Sequence, residues 1–269
     1  MPYWTDKVAL ITGGSRGLGL AIAQALARAG ARVVITARDQ QRLSAAAAAI
    51  STSGRKCGWL PADLTQQDQV EALFAQVVSL HQRLDLLVNC AGRSSRGEVA
   101  ATSADQFREL IDVNFLSTVR CTRVALPHLL QSRGHVVHIG SLAAKIASRY
   151  LGAYPASKFP LAAYAQQLRL ELGPKGLHVL LVCPGPLRRE DAGSRYAEQA
   201  ASLPPETRLP GGGVKLKGIE PGWLAQKILL ACQKRQPEVV VPARARLLFA
   251  LAQLWPKLGD WIVERMTSS

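Results

Sequence analysis

Cysteine pairs, aromatic side chains, acidic residues and long apolar runs are all scarce in this 269-residue chain, and each scarcity removes a class of protein. The five cysteines, Cys57, Cys90, Cys121, Cys183 and Cys232, are odd in number and widely spaced, with no C-x-x-C pair. That pattern argues against a disulfide framework and against a bound metal, and it reads as thiols kept reduced in a cytoplasm. Cys90 and Cys183 lie beside apolar stretches and read as small buried hydrophobes. No apolar run approaches the ~18 residues of a membrane-crossing helix. The opening M-P-Y-W-T-D-K passes straight into a strand pattern, so no signal peptide is expected. Acids number 19 against 33 basic residues, a net charge of +14. The excess suits anionic partners such as phosphorylated cofactors, and equally a plain basic surface. No basic run is interleaved with aromatics, so nucleic acid is not an expected partner.

Short apolar runs alternate with longer amphipathic segments. Strands are expected at Val8–Ile11, Arg32–Thr36, Cys57–Leu60, Leu84–Val88, His135–Ile139, His178–Val182 and Val239–Val241. Helices are expected at Gly17–Ala29, Gln40–Ser51, Gln66–His81, Ser103–Gln131, Tyr154–Leu172 and Pro221–Gln233. Strand and helix in alternation imply parallel strands joined by right-handed crossovers. Continuously apolar strands imply a sheet covered on both faces. The fold class is therefore α/β, a Rossmann-type doubly wound parallel sheet of about seven strands, whose ligands bind beyond the carboxyl ends of the strands. Residues 186–218 differ: they are polar, carry Pro204, Pro205 and three consecutive glycines, and read as a mobile loop over a site.

The first strand ends in T-G-G-S-R-G-L-G, Thr12 to Gly19. A pyrophosphate needs backbone N–H groups at close range and the positive end of a helix. Gly13 and Gly17 permit the tight turn, and Gly19 lets the helix pack on the strand. The spacing T-G-x-x-x-G-x-G resembles the short-chain dehydrogenase/reductase family. Further along, Asn89-Cys90-Ala91-Gly92 resembles the family's N-N-A-G, with Cys90 in place of the second Asn, and Tyr154-Pro155-Ala156-Ser157-Lys158 resembles its Y-x-x-x-K. The likeness runs from about Lys7 to Val241. It implies cofactor contacts at Gly13, Ser15, Arg16, Gly17, Leu18 and Gly19, at Asp63 and Leu64, at Asn89, Ala91 and Gly92, and at Pro184, Gly185 and Leu187. Asp63 matches the family's adenine-contacting Asp and also suits a helix N-cap.

The second strand closes on I-T-A-R-D, with Ala37 where a family member preferring NAD places an acid, and Arg38 next. Arg38 and Arg16 suit a 2′-phosphate, since guanidinium pairs phosphate oxygens bidentately. NADP(H) is the expected cofactor.

Tyr154 and Lys158, at i and i+4, share a helix face. A phenol can protonate an alkoxide as it forms, but its ordinary pKa is about 10, and a neighbouring ammonium lowers it. Ser141 and Asn114 match the family's other two polar catalytic residues, the first holding the substrate oxygen and the second positioning a water. The resemblance thus implies a nicotinamide-dependent reductase or dehydrogenase acting on a small-molecule ketone or secondary alcohol. An apolar lipid-, steroid- or acyl-like substrate suits the family. A cofactor-binding regulatory protein with little turnover is the alternative. The family's usual subunit contacts imply a homodimer or homotetramer. Arg189 stands where the family often has Thr, and with Arg188 it faces solvent or an anionic group.

A single NADP-binding catalytic domain is expected over residues 1–242, followed by an amphipathic extension, 243–269. The extension is rich in Leu, carries Trp255 and Trp261, and is broken by Pro256 into two short helical pieces with Arg244, Arg246, Lys257 and Arg265 among them. Three readings stay open: packing on its own domain, on a partner subunit, or in a membrane interface.

Overall fold

The computed structural model describes residues 2–51, 56–189, 191–192 and 194–267. Positions 190 and 193 of the expected loop lie outside the described residues, as do the last two of the extension. Seven parallel strands form one sheet in the order β3-β2-β1-β4-β5-β6-β7. They are β1 (Val8–Thr12), β2 (Arg32–Ala37), β3 (Gly58–Pro61), β4 (Leu86–Asn89), β5 (His135–Ile139), β6 (His178–Pro184) and β7 (Glu238–Val241). Helices α1 (Gly17–Arg28), α2 (Gln40–Ile50) and α7 (Pro221–Gln233) cover one face. Helices α3 (Gln67–His81), α5 (Ser117–Gln131) and α6 (Tyr154–Leu172) cover the other. Both faces of the inner strands are thus buried, the edge strand β3 only in part, which is why the inner strands are apolar runs rather than alternating ones. β1 pairs with β2 on one side and β4 on the other, so the strand order reverses there and opens a crevice at the carboxyl ends.

Several strands run a residue or two further toward that crevice than their apolar runs indicate: β1 to Thr12, β2 to Ala37, β4 to Asn89 and β6 to Pro184. The ladder carries the backbone past the point where side chains stop being apolar.

The single helix expected over Ser103–Gln131 is three pieces in line: α4 (Ala104–Ile111), a π turn over Asp112–Leu116, and α5. A π turn inserts one residue without breaking the axis, and periodicity alone does not register it. Ser103 caps α4 in a reciprocal box with Gln106. Asp63, read as a possible N-cap, instead accepts from the Thr65 N–H (3.0 Å) and hydroxyl (2.8 Å) in a turn ahead of α3, whose cap is Gln66.

The extension folds as α8 (Ala245–Leu254) and α9 (Pro256–Thr267), divided at Pro256. Its inner side packs on the rest of the chain: Ala245 is buried in the core, Phe249 packs against it, and the Lys215 N–H reaches the Met266 carbonyl at 3.2 Å. At the opposite end of the sheet, His135, His178 and Cys232 lie together, buried. The histidines are already spent: Tyr3 reaches His135 at 2.6 Å, the two rings meet at 2.8 Å, and His178 meets the Gln236 carbonyl at 2.8 Å.

Candidate active site

The crevice is a cleft of about 1260 Å³ that runs from the glycine turn, past the ends of β4, β5 and β6, to α8 and α9. At one end α1 begins without a side-chain cap and without an acid in its first turn. Its leading N–H groups, orphaned in any helix, are left for a ligand. Gly13 (φ +67°) and Gly17 (φ +56°) take left-handed backbone, the region glycine enters without strain. A Cβ on Gly17 would meet nothing within 4 Å and would stand in the cradle itself, whereas one on Gly19 would strike the Gly13 carbonyl oxygen at 2.3 Å. Thr12, to which the motif assigns no role, ties the turn to the loop after the adjoining strand β4: its hydroxyl accepts from the N–H groups of Cys90 and Ala91, both at 3.0 Å. An extended dinucleotide with a pyrophosphate fits these residues.

Beside the turn, Arg16, Arg38 and Arg42 line the cleft; Arg42 was not anticipated. Asp39, the nearest acid, caps α2 through the Arg42 N–H and pairs with the Arg42 side chain, both at 3.0 Å. It is therefore engaged and does not stand free for a ribose. Burial raises the Asp63 carboxyl, but the Thr65 hydrogen bonds and the charges of Arg38 and Arg120 outweigh it and hold the group below the usual carboxylate range.

At the other end, Ser141, Tyr154 and Lys158 line the cleft together with Ala91, Gly92, Pro184, Gly185 and Leu187. Ser141 ends the β5 loop in extended backbone and accepts the Ala143 N–H at 3.1 Å. Tyr154 opens α6, where Pro155 costs little because the first N–H groups lack helical partners anyway. Lys158 follows one turn on, buried, its Nζ donating to the Ile139 carbonyl at 3.0 Å. Burial raises the Tyr154 phenol above its ordinary pKa; the Ser141 hydroxyl and the Arg96 guanidinium pull it back, while Tyr196 and Cys183 push it up. Burial brings Lys158 down to about 8, and the Cys90 and Cys183 sulfurs act the other way. Sequence spacing predicts that the Lys158 ammonium acts on the phenol. In this structure Nζ donates to the Ile139 carbonyl at the end of β5, and Ser141 and Arg96 pull the phenol down.

Two anticipated contact residues do not line the cleft. The Asn89 side chain turns inward, donating to the Thr122 hydroxyl at 3.0 Å and meeting His138 Nδ1 at 3.3 Å. Asn114 is fully buried in the π turn. Its Oδ1 accepts the Arg93 N–H, and its Nδ2 donates to the Arg93 carbonyl and the Ser157 hydroxyl, each at 2.8 Å. Ser157 in turn donates to the Tyr154 carbonyl at 2.7 Å. Asn114 therefore braces the loop after β4 against the start of α6. Arg189 does line the cleft but is paired with Asp191 at 2.7 Å. Cys90, read as buried, is half-buried at the cleft wall, its thiol pushed up to about 11 by burial.

Arg96 is the residue that motif reading missed most completely. It is buried and lines the cleft, and no carboxylate pairs with it among the described residues. Its guanidinium donates to the carbonyls of Thr207 (2.5 Å), Leu209 (3.0 Å) and Ser95 (2.7 Å) and to the Ser94 hydroxyl (3.0 Å), and it lies over the Tyr196 ring at 3.9 Å. It thereby pins the segment 196–209 over Tyr154. Only its contacts across the fold mark it out, because an isolated arginine in a loop carries no motif.

Residues 7–200 match the family model for short chain dehydrogenases. The chain belongs to that family. A "dehydrogenase/reductase SDR family protein 7-like" of Drosophila melanogaster is 30% identical, the match covering 96% of this chain and 80% of that one. The "ketoacyl reductase HetN" of a Nostoc species is 32% identical over 97% of this chain and 90% of its own. Among solved structures, a short-chain dehydrogenase from Streptomyces avermitilis superposes with a TM-score of 0.79 at 28% identity, covering 98% of this chain and all of its own. The protein is thus a short-chain dehydrogenase/reductase, an oxidoreductase using a nicotinamide cofactor, NAD or NADP, on small molecules.

Proposed function

We propose that the protein is an NADP(H)-dependent oxidoreductase acting on a ketone or secondary alcohol of apolar character, with Tyr154 exchanging the proton on the reacting oxygen. The observation that carries this reading is the convergence of Tyr154, Ser141 and Lys158 on one cleft that continues to the glycine turn. Bound nicotinamide supplies or accepts the hydride. The Ser141 hydroxyl holds the substrate oxygen against the phenol, and Tyr154 gives or takes the proton there. Lys158, through its charge and its remaining N–H groups, orients the ribose side of the cofactor. The preference for the 2′-phosphate rests on Arg16, Arg38 and Arg42 at the adenosine end and on an Asp39 already bonded to Arg42. The apolar substrate rests on the walls beyond Tyr154: Leu142, Leu151, Leu248, Leu251, Ile262, Val263 and Met266. The regulatory alternative draws no support from the relatives, which are reductases and dehydrogenases by name. On the outer sides of the π turn and α6, Leu116, Phe159 and Leu170 are exposed and suit a homo-oligomer contact.

The test is NADPH and NADH oxidation with a panel of ketones graded in chain length. Wild type should favour NADPH and longer chains. Tyr154→Phe should lose about 100-fold or more in kcat while still binding cofactor. Arg38→Asp should shift preference toward NADH. Undiminished turnover in the Phe variant would defeat the proton-transfer role, and unchanged preference in the Asp variant would defeat the phosphate role.

A further inference from the structure

The α8–α9 hairpin is apolar on both sides, and only one side is covered. Its inner side lines the cleft with Leu248, Leu251, Ile262, Val263 and Met266. Its outer edge leaves Leu254 68%, Trp255 58%, Leu258 41% and Trp261 48% exposed, clustered at the bend around Pro256. The bend is held tight: a Cβ on Gly259 would lie 2.6 Å from Ala252 Cα, so the two helices touch backbone to backbone. A helix that only covers its own core would be polar outside.

Charge selects among possible occupants of this edge. Lys257 and Arg265 flank the exposed tryptophans, and the Arg265 guanidinium lies 4.0 Å over the Trp261 ring. Lys215 and Arg244, which line the cleft, have no carboxylate partner among the described residues. The acids of the hairpin are Asp260 and Glu264, and Glu264 meets Arg149 at 3.4 Å. A second copy would bring the same cationic edge and another +14 of charge to the contact. Anionic lipid headgroups complement it, and Trp with Arg or Lys is the composition that rests at a headgroup boundary, ring in the acyl region and charge in the phosphate layer. No described helix is long and apolar enough to cross a bilayer, so contact would be in the plane of the surface.

We propose that the outer edge of the α8–α9 hairpin docks on an anionic lipid surface, turning the mouth of the substrate cleft toward the membrane. An apolar carbonyl compound dissolved in the bilayer would then reach Tyr154 along the inner side of the same hairpin; this second clause rests on the function proposed above.

The experiment uses the full chain and vesicles of phosphatidylcholine, alone or with about 30% phosphatidylserine. Wild type should co-sediment with the anionic vesicles at least about tenfold better than with the neutral ones and be released by about 0.5 M salt. The double variant Trp255→Ser/Trp261→Ser should lose about tenfold in partitioning. It should keep wild-type turnover of a short water-soluble ketone while losing turnover of a long-chain ketone presented in vesicles. Equal binding by wild type and variant, or binding by neither, overturns the docking surface. So does a variant that changes oligomeric state in solution while binding vesicles as before, since the edge would then be a subunit contact. The binding arm needs no turnover: bound protein that reduces no ketone leaves docking intact and refutes the proposed reaction.

Discussion

Adding one methyl group at Gly92 should impair the enzyme without replacing any of the side chains that carry chemistry. Gly92 sits in the loop after β4, between Asn114 and Lys158. A Cβ there would lie 2.6 Å from Asn114 Oδ1 and 3.5 Å from Lys158 Nζ. Reaching ordinary contact at 3.4 Å requires the amide oxygen to retreat by about 0.8 Å. The Asn114 amide is held at 2.8 Å by three partners, two on the Arg93 backbone and one on Ser157, so retreat breaks at least one bond in a buried place. That costs about 1–3 kcal/mol, or roughly 3–9 °C in Tm for a chain of this size. Ser157 hydrogen-bonds the Tyr154 carbonyl, so the disturbance reaches the first turn of α6. A displacement of this order at a reacting group is worth about 10–100-fold in kcat. The assay is kcat and melting temperature of Gly92→Ala beside Gly97→Ala, whose added Cβ finds only Thr102 Oγ1 at 3.5 Å and should leave both unchanged. In the double variant Gly92→Ala/Asn114→Ala the clash is gone, so the Gly92 change should add little to the cost of losing Asn114. Wild-type kcat in Gly92→Ala would refute the bracing role of Asn114, and strict additivity would refute the steric route.

Two further predictions concern buried polar groups. Arg96→Met leaves the Thr207, Leu209 and Ser95 carbonyls without their donor, so stability should fall by about 2–4 kcal/mol and KM for a long ketone should rise; Arg96→Lys should not rescue, because a point ammonium cannot reach all of these acceptors. Equal protease resistance of the 196–209 segment in wild type and Arg96→Met would count against the pinning role. Burial, followed by the charges of Arg169 and Lys158, pushes His138 down to about 3 from an ordinary 6.5. Its unfolded form therefore binds a proton that the folded form refuses, and stability present above about pH 6.5 should drain away toward pH 3, by at most about 4–5 kcal/mol from this residue. Denaturant titrations of wild type and His138→Gln between pH 7 and 4 check it, and equal slopes would exclude His138 as the source.

The sequence determined the sheet, the glycine turn and the Tyr154–Lys158 pair, and the reason is locality. Continuous apolar runs such as Val8–Ile11 and His178–Val182 report burial on both faces, and T-G-x-x-x-G-x-G and Y-x-x-x-K place their functional atoms within one turn of backbone. The family likeness carried Ser141 to the same cleft. What the sequence left undecided was where side chains point and what they meet across the fold. Asn89 and Asn114 stand at positions where the likeness expects ligand contacts, yet both are spent inside the protein on partners 21 to 49 residues away. Arg96 and Thr207, 111 residues apart, become partners only when the segment 196–209 closes over β4's loop. The extension could have packed in three ways by composition alone. Tertiary structure set its inner side into the cleft and left its tryptophans outside, because amphipathicity fixes which residues seek cover but only the surrounding surface decides how much cover there is.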